Sequence, residues 1–434
     1  MSARFPTIAI VGSGPSGCYV AQFLQKKWDG AQITIFEALP VPYGLVRYGV
    51  AADHQGSKAV IQQFERMFEK GGVEFCGNVT IGRDIAYTKL TESFDIVVLA
   101  TGLNHDASLD IPVNPLAPVV GAGCVLKALN GHPRVNLPKA MDGTVRELGK
   151  NVAVIGSGNV AVDVLRMVAK TDFDLLGSDI ADEIRLALNT QGVESLTLIS
   201  RSSASDAKCD VSMMAELLSL PGLSIRVHGV GAHEQGYVAK LLQSVPEPAS
   251  TDCKSSLLVN LMFNSVPKEV DEENGLAKLT IVDRLTGVGR KMEFETVVTA
   301  IGFNNGKKNQ STIPPEDLTG MNIYRVGWLK RGPKGTVAEN RKDAKAVADQ
   351  IVVDYESGLL GARKLGLTSI AHELPLGVVK HQGWRRIDQY EVRSASQGRC
   401  RKKITDVSGM LRVAGGDDAF DSASKVKEVV IQVS

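Results

Sequence analysis

The chain has six cysteines, Cys18, Cys76, Cys124, Cys209, Cys253 and Cys400, and no CxxC pair among them. That spacing excludes a vicinal redox dithiol, and it suits neither a disulfide framework nor a zinc site. Buried small hydrophobes in a reducing compartment are expected instead, with no bound metal. Charge of one sign is also missing: 49 basic residues face 48 acidic ones, for a formal net charge of +1. No overall field therefore recruits nucleic acid or an anionic membrane. Nor does any apolar run reach the roughly eighteen residues of a transmembrane helix. A strand pattern begins almost at once after Met1, which leaves no room for a leader peptide. A cytoplasmic protein is the expectation, with a mature mitochondrial matrix form as the alternative. At 434 residues, 44% hydrophobic and 22% charged, the chain has globular composition and is too long for one ordinary core.

The stretch from Ile8 to Glu37 organises the remainder. An apolar run ends in Gly12, Gly14 and Gly17, a helical pattern follows, and a second apolar run ends on the acid Glu37. Strand, glycine turn, helix, strand and acid in that order form a dinucleotide fingerprint. Gly12 makes the tight turn, Gly14 lets backbone approach a pyrophosphate, and Gly17 lets the helix lie close on the sheet. The helix N-terminus offers free N–H groups and its dipole to the phosphates. Glu37 is placed to accept hydrogen bonds from a ribose diol.

Beyond Glu37, residues 40–54 mix Pro, Gly, aromatics and Arg without a period and read as a functional loop. Helical spacing over about 56–69, a strand or hairpin from Val73, and a buried strand from Phe94 to Gly102 follow. Residues 103–149, punctuated by Pro and Gly, read as the crossing between domains. The opening pattern then recurs: strand Val152–Ile155, turn Gly156-Ser157-Gly158-Asn159 and a helix from Val160, with Ala161 at the third fingerprint position. Here the acid is missing. A helical insert over about 172–189 delays the next strand, Ser195–Ser200, which ends on Arg201, Ser202 and Ser203. A guanidinium and hydroxyls at that point favour the 2′-phosphate of NADP over the free hydroxyl of NAD. Residues 223–300 alternate as strands and should complete the second sheet. A strand over Asn322–Val326 and a Gly-Pro-Lys-Gly turn lead into a long helix from about Val337. The basic run Arg399–Lys403 reads as a solvated surface turn, and the last twenty or so residues as a linker with one strand-like segment.

These residues carry a family likeness. The motifs VGSGPSG (11–17), PVPYGLVRYGVAADH (40–54), FDIVVLATG (94–102), LNGHP (129–133), GSGNVAVDV (156–164), ISR (199–201), GWLKRGPKGTV (327–337) and GWRRID (383–388) stand in order. The chain resembles the adrenodoxin-reductase type of ferredoxin–NADP reductase, and the resemblance runs from Ile8 to about Val413. It implies an α/β fold of two Rossmann-like dinucleotide-binding domains, in a glutathione-reductase-like arrangement without the redox dithiol. FAD would sit in a discontinuous domain, 1–105 and 325–434, and NADP(H) in 106–324, with NADH as a further possibility. Flavin contacts carried over are Ser16, Glu37, Leu45, Val79, Trp328, Gly335, Thr336 and Val337. NADPH contacts are Gly156, Ser157, Gly158, Asn159, Arg201, Glu216 and Gly335. His54 and Asp163 match a histidine–carboxylate pair that would manage a proton or position the nicotinamide.

Three departures stand out. Ser202 replaces the second of two arginines at the 2′-phosphate, Ala52 replaces a proline before Asp53-His54, and over Gly236–Gln243 only Lys240 represents the basic cluster that docks an acidic ferredoxin. The leading reading is an FAD enzyme passing electrons from NADPH to a ferredoxin-type iron–sulfur protein. The alternatives are a flavoprotein acting directly on a small molecule or quinone, and a non-catalytic dinucleotide-binding redox sensor.

Overall fold

The computed structural model describes residues 5–246, 257–306, 318–360 and 363–416. They divide into two compact units, one drawn from 1–50, 54–103 and 307–434, the other from 51–53 and 104–306. The sequence expectation put these divisions at 105 and 324.

The first unit is built on five parallel strands in the spatial order Ile323–Arg325, Ile96–Leu99, Thr7–Val11, Gln32–Glu37, Val73–Gly77. Along the central strand, Ile8 and Ile10 enter one apolar cluster while Ala9 and Val11 enter another. Strand side chains alternate between faces, so a strand apolar at every position is buried on both sides, as parallel sheets require. Helices Pro15–Lys27 and Val337–Glu356 pack on each other over the first face. The region expected as one helix over 56–69 is two, Gln55–Lys58 and Ile61–Glu69.

The second unit holds six parallel strands in the order Val119–Gly121, Thr296–Thr299, Asn151–Ile155, Ser195–Ile199, Leu257–Met262, Leu223–His228. One expectation is corrected here. Of the strands over 223–300, Ser265–Glu273, Leu276–Asp283 and Gly289–Phe294 do not extend the parallel sheet but form a separate antiparallel one. Its apolar face, with Val270, Leu279, Ile281 and Phe294, packs on Ala153, Ile155 and Val297 and covers the side of the sheet that the helices leave open. Residues 103–149 are likewise more than a crossing. They supply the edge strand Val119–Gly121 and helix Ala122–Leu129, in which seven of eight residues are small or apolar and Lys127 alone is too little to betray a helical period. Of the insert over 172–189, only Asp182–Ala187 is α-helical.

The basic run Arg399–Lys403 is not a solvated turn. Lys403 is buried and donates to the carbonyl of Arg47 at 3.1 Å, and Arg401 pairs with Asp388 and Glu391. The reason is Glu391, a fully buried carboxylate that Arg47 grips through both oxygens at 2.6 Å. Burying that group requires cations from several directions. The strand-like segment expected at the end of the chain lies outside the described residues. No described helix is long and apolar enough to cross a membrane.

Candidate functional site

In the first unit the site forms where the central strand stops. Gly12 takes φ +105°, and a Cβ there would collide with the carbonyl of Ala100. Only glycine makes this turn without strain. A Cβ at Gly17 would strike the carbonyl of Gly12, so the helix lies directly on the turn, while Gly14 faces open space. Glu37 closes the arrangement from the neighbouring strand. Its Oε2 accepts from the N–H and Oγ of Ser13 at 3.0 and 2.6 Å, and its Oε1 accepts from Leu39 N at 3.1 Å. The carboxylate is thus fixed at the mouth of the turn.

Three further segments gather on this turn. The loop after Glu37 is tied down by Tyr43, whose N–H donates to the Ser13 carbonyl at 3.1 Å. Gly44 and the half-buried Leu45 follow it over Gly14. The Tyr43 hydroxyl reaches Glu65, which also accepts from Trp384 Nε1 at 2.6 Å and lies 3.0 Å from His381 Nε2. Burial alone would raise the pKa of Glu65, but these three hydrogen bonds hold it below the usual carboxylate value. Val79 is buried beyond the fifth strand, with its N–H on the carbonyl of Glu37 at 2.9 Å. Gly327 abuts Ser16 so closely that any side chain would strike the Ser16 hydroxyl, and its N–H donates to Asp343 at 2.6 Å. Trp328 opens the short helix after it, and Gly335 and Thr336 lead into helix Val337–Glu356, where Arg331 braces Asn340 at 2.6 Å. His54 stands at the start of helix Gln55–Lys58, and its carbonyl accepts from Ser57 and Lys58.

The second unit repeats the design. Gly156 takes φ +134° with its hydrogen against the carbonyl of Ala300, and Gly158, before helix Asn159–Ala169, faces open space. Ala161 is fully buried at the third fingerprint position. Ser157 is held on both sides. Its carbonyl accepts from Lys208 N and Cys209 N at 3.0 and 3.1 Å, and its Oγ accepts from Ser200 Oγ at 3.0 Å. Asn159 and Asp210 exchange two hydrogen bonds of 2.8 and 2.7 Å. Arg201, just past the end of its strand, is exposed.

Two residues expected as separate contacts belong to one ionic cluster. Asp163 accepts from Arg166 at 2.7 Å. Glu216 accepts from Lys170 at 2.6 Å and also from Arg166, and both cations bond Asp53. Burial would raise the pKa of Glu216, but the two cations override it and hold it at about 2. Arg166, Lys170 and Asp53 escaped the sequence reading. The signal was there in Arg166, a cation three residues after Asp163 inside the apolar helical run VAVDVLRMVA. Ser13, Tyr43 and Asp210 left no such trace.

Each unit therefore carries a glycine turn at the C-terminal edge of a parallel sheet, feeding a helix N-terminus. One turn is flanked by a fixed acid, the other by an arginine. That pair of cradles defines the class of oxidoreductases that bind two dinucleotides. The family model for pyridine nucleotide-disulphide oxidoreductases matches residues 6–212. Cindoxin reductase of Citrobacter braakii is 36% identical over 425 residues, covering 94% of this chain and 91% of that protein. The NADPH:adrenodoxin oxidoreductase of Salvelinus fontinalis is 28% identical, over 95% of this chain and 92% of the other. The solved structure of Mycobacterium tuberculosis FprA in complex with NADPH is 28% identical, with a TM-score of 0.83 over 95% of this chain and 100% of that one. The chain belongs to the adrenodoxin-reductase type of ferredoxin–NADP reductases.

Proposed function

We propose that the chain is an FAD-dependent reductase that takes electrons from NADPH and passes them to a ferredoxin-type iron–sulfur protein. The observation that carries this reading is the pair of glycine cradles with opposite flanking charge, Glu37 beside one and Arg201 beside the other. A carboxylate suits a ribose diol and a guanidinium suits a 2′-phosphate. The discontinuous unit would hold FAD and the other NADP(H). Bound flavin accepts two electrons together and releases them singly, which is the exchange an iron–sulfur partner needs.

The residues fit these groups. In the first unit, Gly14 leaves open room for a pyrophosphate, Ser13 keeps Glu37 aimed, and Gly327 lets the Ser16 hydroxyl lie against its backbone. Leu45, Val79 and Trp328 would line the flavin pocket. The backbone of Gly335, Thr336 and Val337 would face negative charge with the N-terminus of a 20-residue helix. In the second unit, Gly156, Ser157, Gly158 and Asn159 would receive the pyrophosphate, and Arg201 the 2′-phosphate. Glu216 would meet the nucleotide from the ionic cluster, whose cations fix its orientation. Arg166 orients Asp163. His54 would hold or pass a proton at its imidazole.

Relatives with these names occur in bacteria and in mitochondria. Cys18, Cys76, Cys124 and Cys209 form no disulfide, which suits a reducing compartment and supports a cytoplasmic site. The test is anaerobic mixing of the purified yellow protein with NADPH and, separately, NADH. Prompt bleaching by NADPH is expected. Colour that persists with both nucleotides overturns the reading.

A further inference from the structure

The second cradle poses a problem of charge. A 2′-phosphate carries up to two negative charges, and a single guanidinium balances only one of them. Arg201 is one such group. Its neighbour Ser202 is neutral, and its backbone is engaged elsewhere: its N–H lies on Ser200 Oγ at 3.2 Å and its carbonyl accepts from Asn264 N at 3.0 Å. A second cation, to balance the dianion, would have to come from another segment.

The loop after Ser202 brings one. It returns to the glycine turn, where Lys208 forms an isolated parallel bridge with Gly158 and donates its N–H to the Ser157 carbonyl. Ala204 and Cys209 are buried and anchor the loop on the core. Ser157 is thus bonded to Lys208 on one side and to Ser200, the residue before Arg201, on the other. Both Arg201 and Lys208 are exposed, and no ion pair among the described residues engages either. The nearby acids are occupied: Asp206 accepts from Ser203 at 2.9 Å and Asp210 from Asn159 at 2.8 Å.

We propose that Lys208 binds the 2′-phosphate of NADP(H) together with Arg201 and supplies the positive charge that Ser202 lacks. The inference rests on the NADP reading of this cradle. Lysine acts as a point charge on a long stem, so it meets the phosphate from the turn side while the planar guanidinium meets it from the strand end.

The test is calorimetric titration of the holoenzyme with adenosine 2′,5′-bisphosphate and with adenosine 5′-monophosphate. Lys208→Gln should weaken the bisphosphate by about tenfold to a hundredfold, the loss expected for a charge-assisted contact, and change the monophosphate by less than about twofold. Lys208→Arg should retain most of the affinity, which guards against a folding artefact. Equal weakening of both nucleotides by Lys208→Gln, or no weakening of either, overturns the assignment. A wild-type protein that binds the bisphosphate no more tightly than the monophosphate refutes the NADP reading itself, a result separate from failure of Lys208 alone.

Discussion

Replacing Glu391 with Ala should destabilise the first unit by about 3–5 kcal/mol, the cost of breaking a buried ion pair from one side. The structure sets that magnitude. Glu391 is fully buried and accepts four hydrogen bonds from three donors: Arg47 Nη2 at 2.6 Å on each oxygen, Arg401 at 3.0 Å and the N–H of Ile404 at 3.0 Å. Arg47 is almost as deeply buried, packed between the rings of Tyr48 and Trp384, each 5.1 Å from its guanidinium carbon. Without Glu391 its charge faces rings and cations, with no carboxylate to replace the water it has left. All three tryptophans, Trp28, Trp328 and Trp384, lie in this unit, so their fluorescence during urea unfolding follows it selectively. With a denaturant slope of about 2–3 kcal/mol/M, the midpoint should fall by about 1–2 M. Glu391→Gln, which keeps an acceptor but loses the charge, should fall between the two. A midpoint within about 0.3 M of the parent for Glu391→Ala, at an unchanged slope, refutes the claim that this carboxylate holds the loop of Arg47 in place.

The two glycines of the second cradle should fail differently. Gly156→Ala meets both a left-handed backbone and the carbonyl of Ala300, so it should cost stability of about 1–3 kcal/mol in thermal or urea unfolding. Gly158→Ala meets open space, so its unfolding should match the parent while calorimetry with NADPH shows affinity down by about tenfold or more. Acid should act in two steps. His132, held by burial at about 4 and accepting the N–H of Arg134 at 3.1 Å, is neutral when folded, and the unfolded chain takes its proton first. Stability should therefore fall as pH drops from about 6.5 to about 4, and His132→Gln should flatten that slope in pH-dependent melting. Glu216, with a folded value of about 2, contributes stability above its unfolded value of about 4.5 and loses it as pH falls toward 2. Glu216→Gln should remove that lower step.

How much of this was legible in the chain depended on the range of the interaction involved. The turn at Gly12, Gly14 and Gly17, its acid at Glu37 and the repeat at Gly156 and Gly158 are local patterns, set by backbone sterics within about thirty residues, and the structure places them on two sheets. The separate antiparallel sheet over 265–294 is hidden in the sequence because alternation reveals a strand and not its partner. Val270 and Ile281 could equally have faced a helix. Arg401 and Lys403 look like solvated charges in a linear reading, since the carboxylate that claims Arg401 lies ten residues away on a helix, and Arg47, whose carbonyl takes Lys403, more than three hundred away. In the same way the cluster of Asp53, Arg166, Lys170 and Glu216 assembles from three distant segments, and only its Asp163–Arg166 pair repeats at helical spacing. Long-range charge pairing is the part that a single sequence hides.

Electrons enter as a pair at one nucleotide cradle and leave one at a time to an iron–sulfur protein. Steady-state cytochrome c reduction by the purified flavoprotein with NADPH, with and without an added ferredoxin, tests it most directly. Little reduction is expected with the reductase alone, and a saturable rate on adding ferredoxin. A rate that ferredoxins leave unchanged, while a quinone or other small acceptor is reduced rapidly, contradicts it.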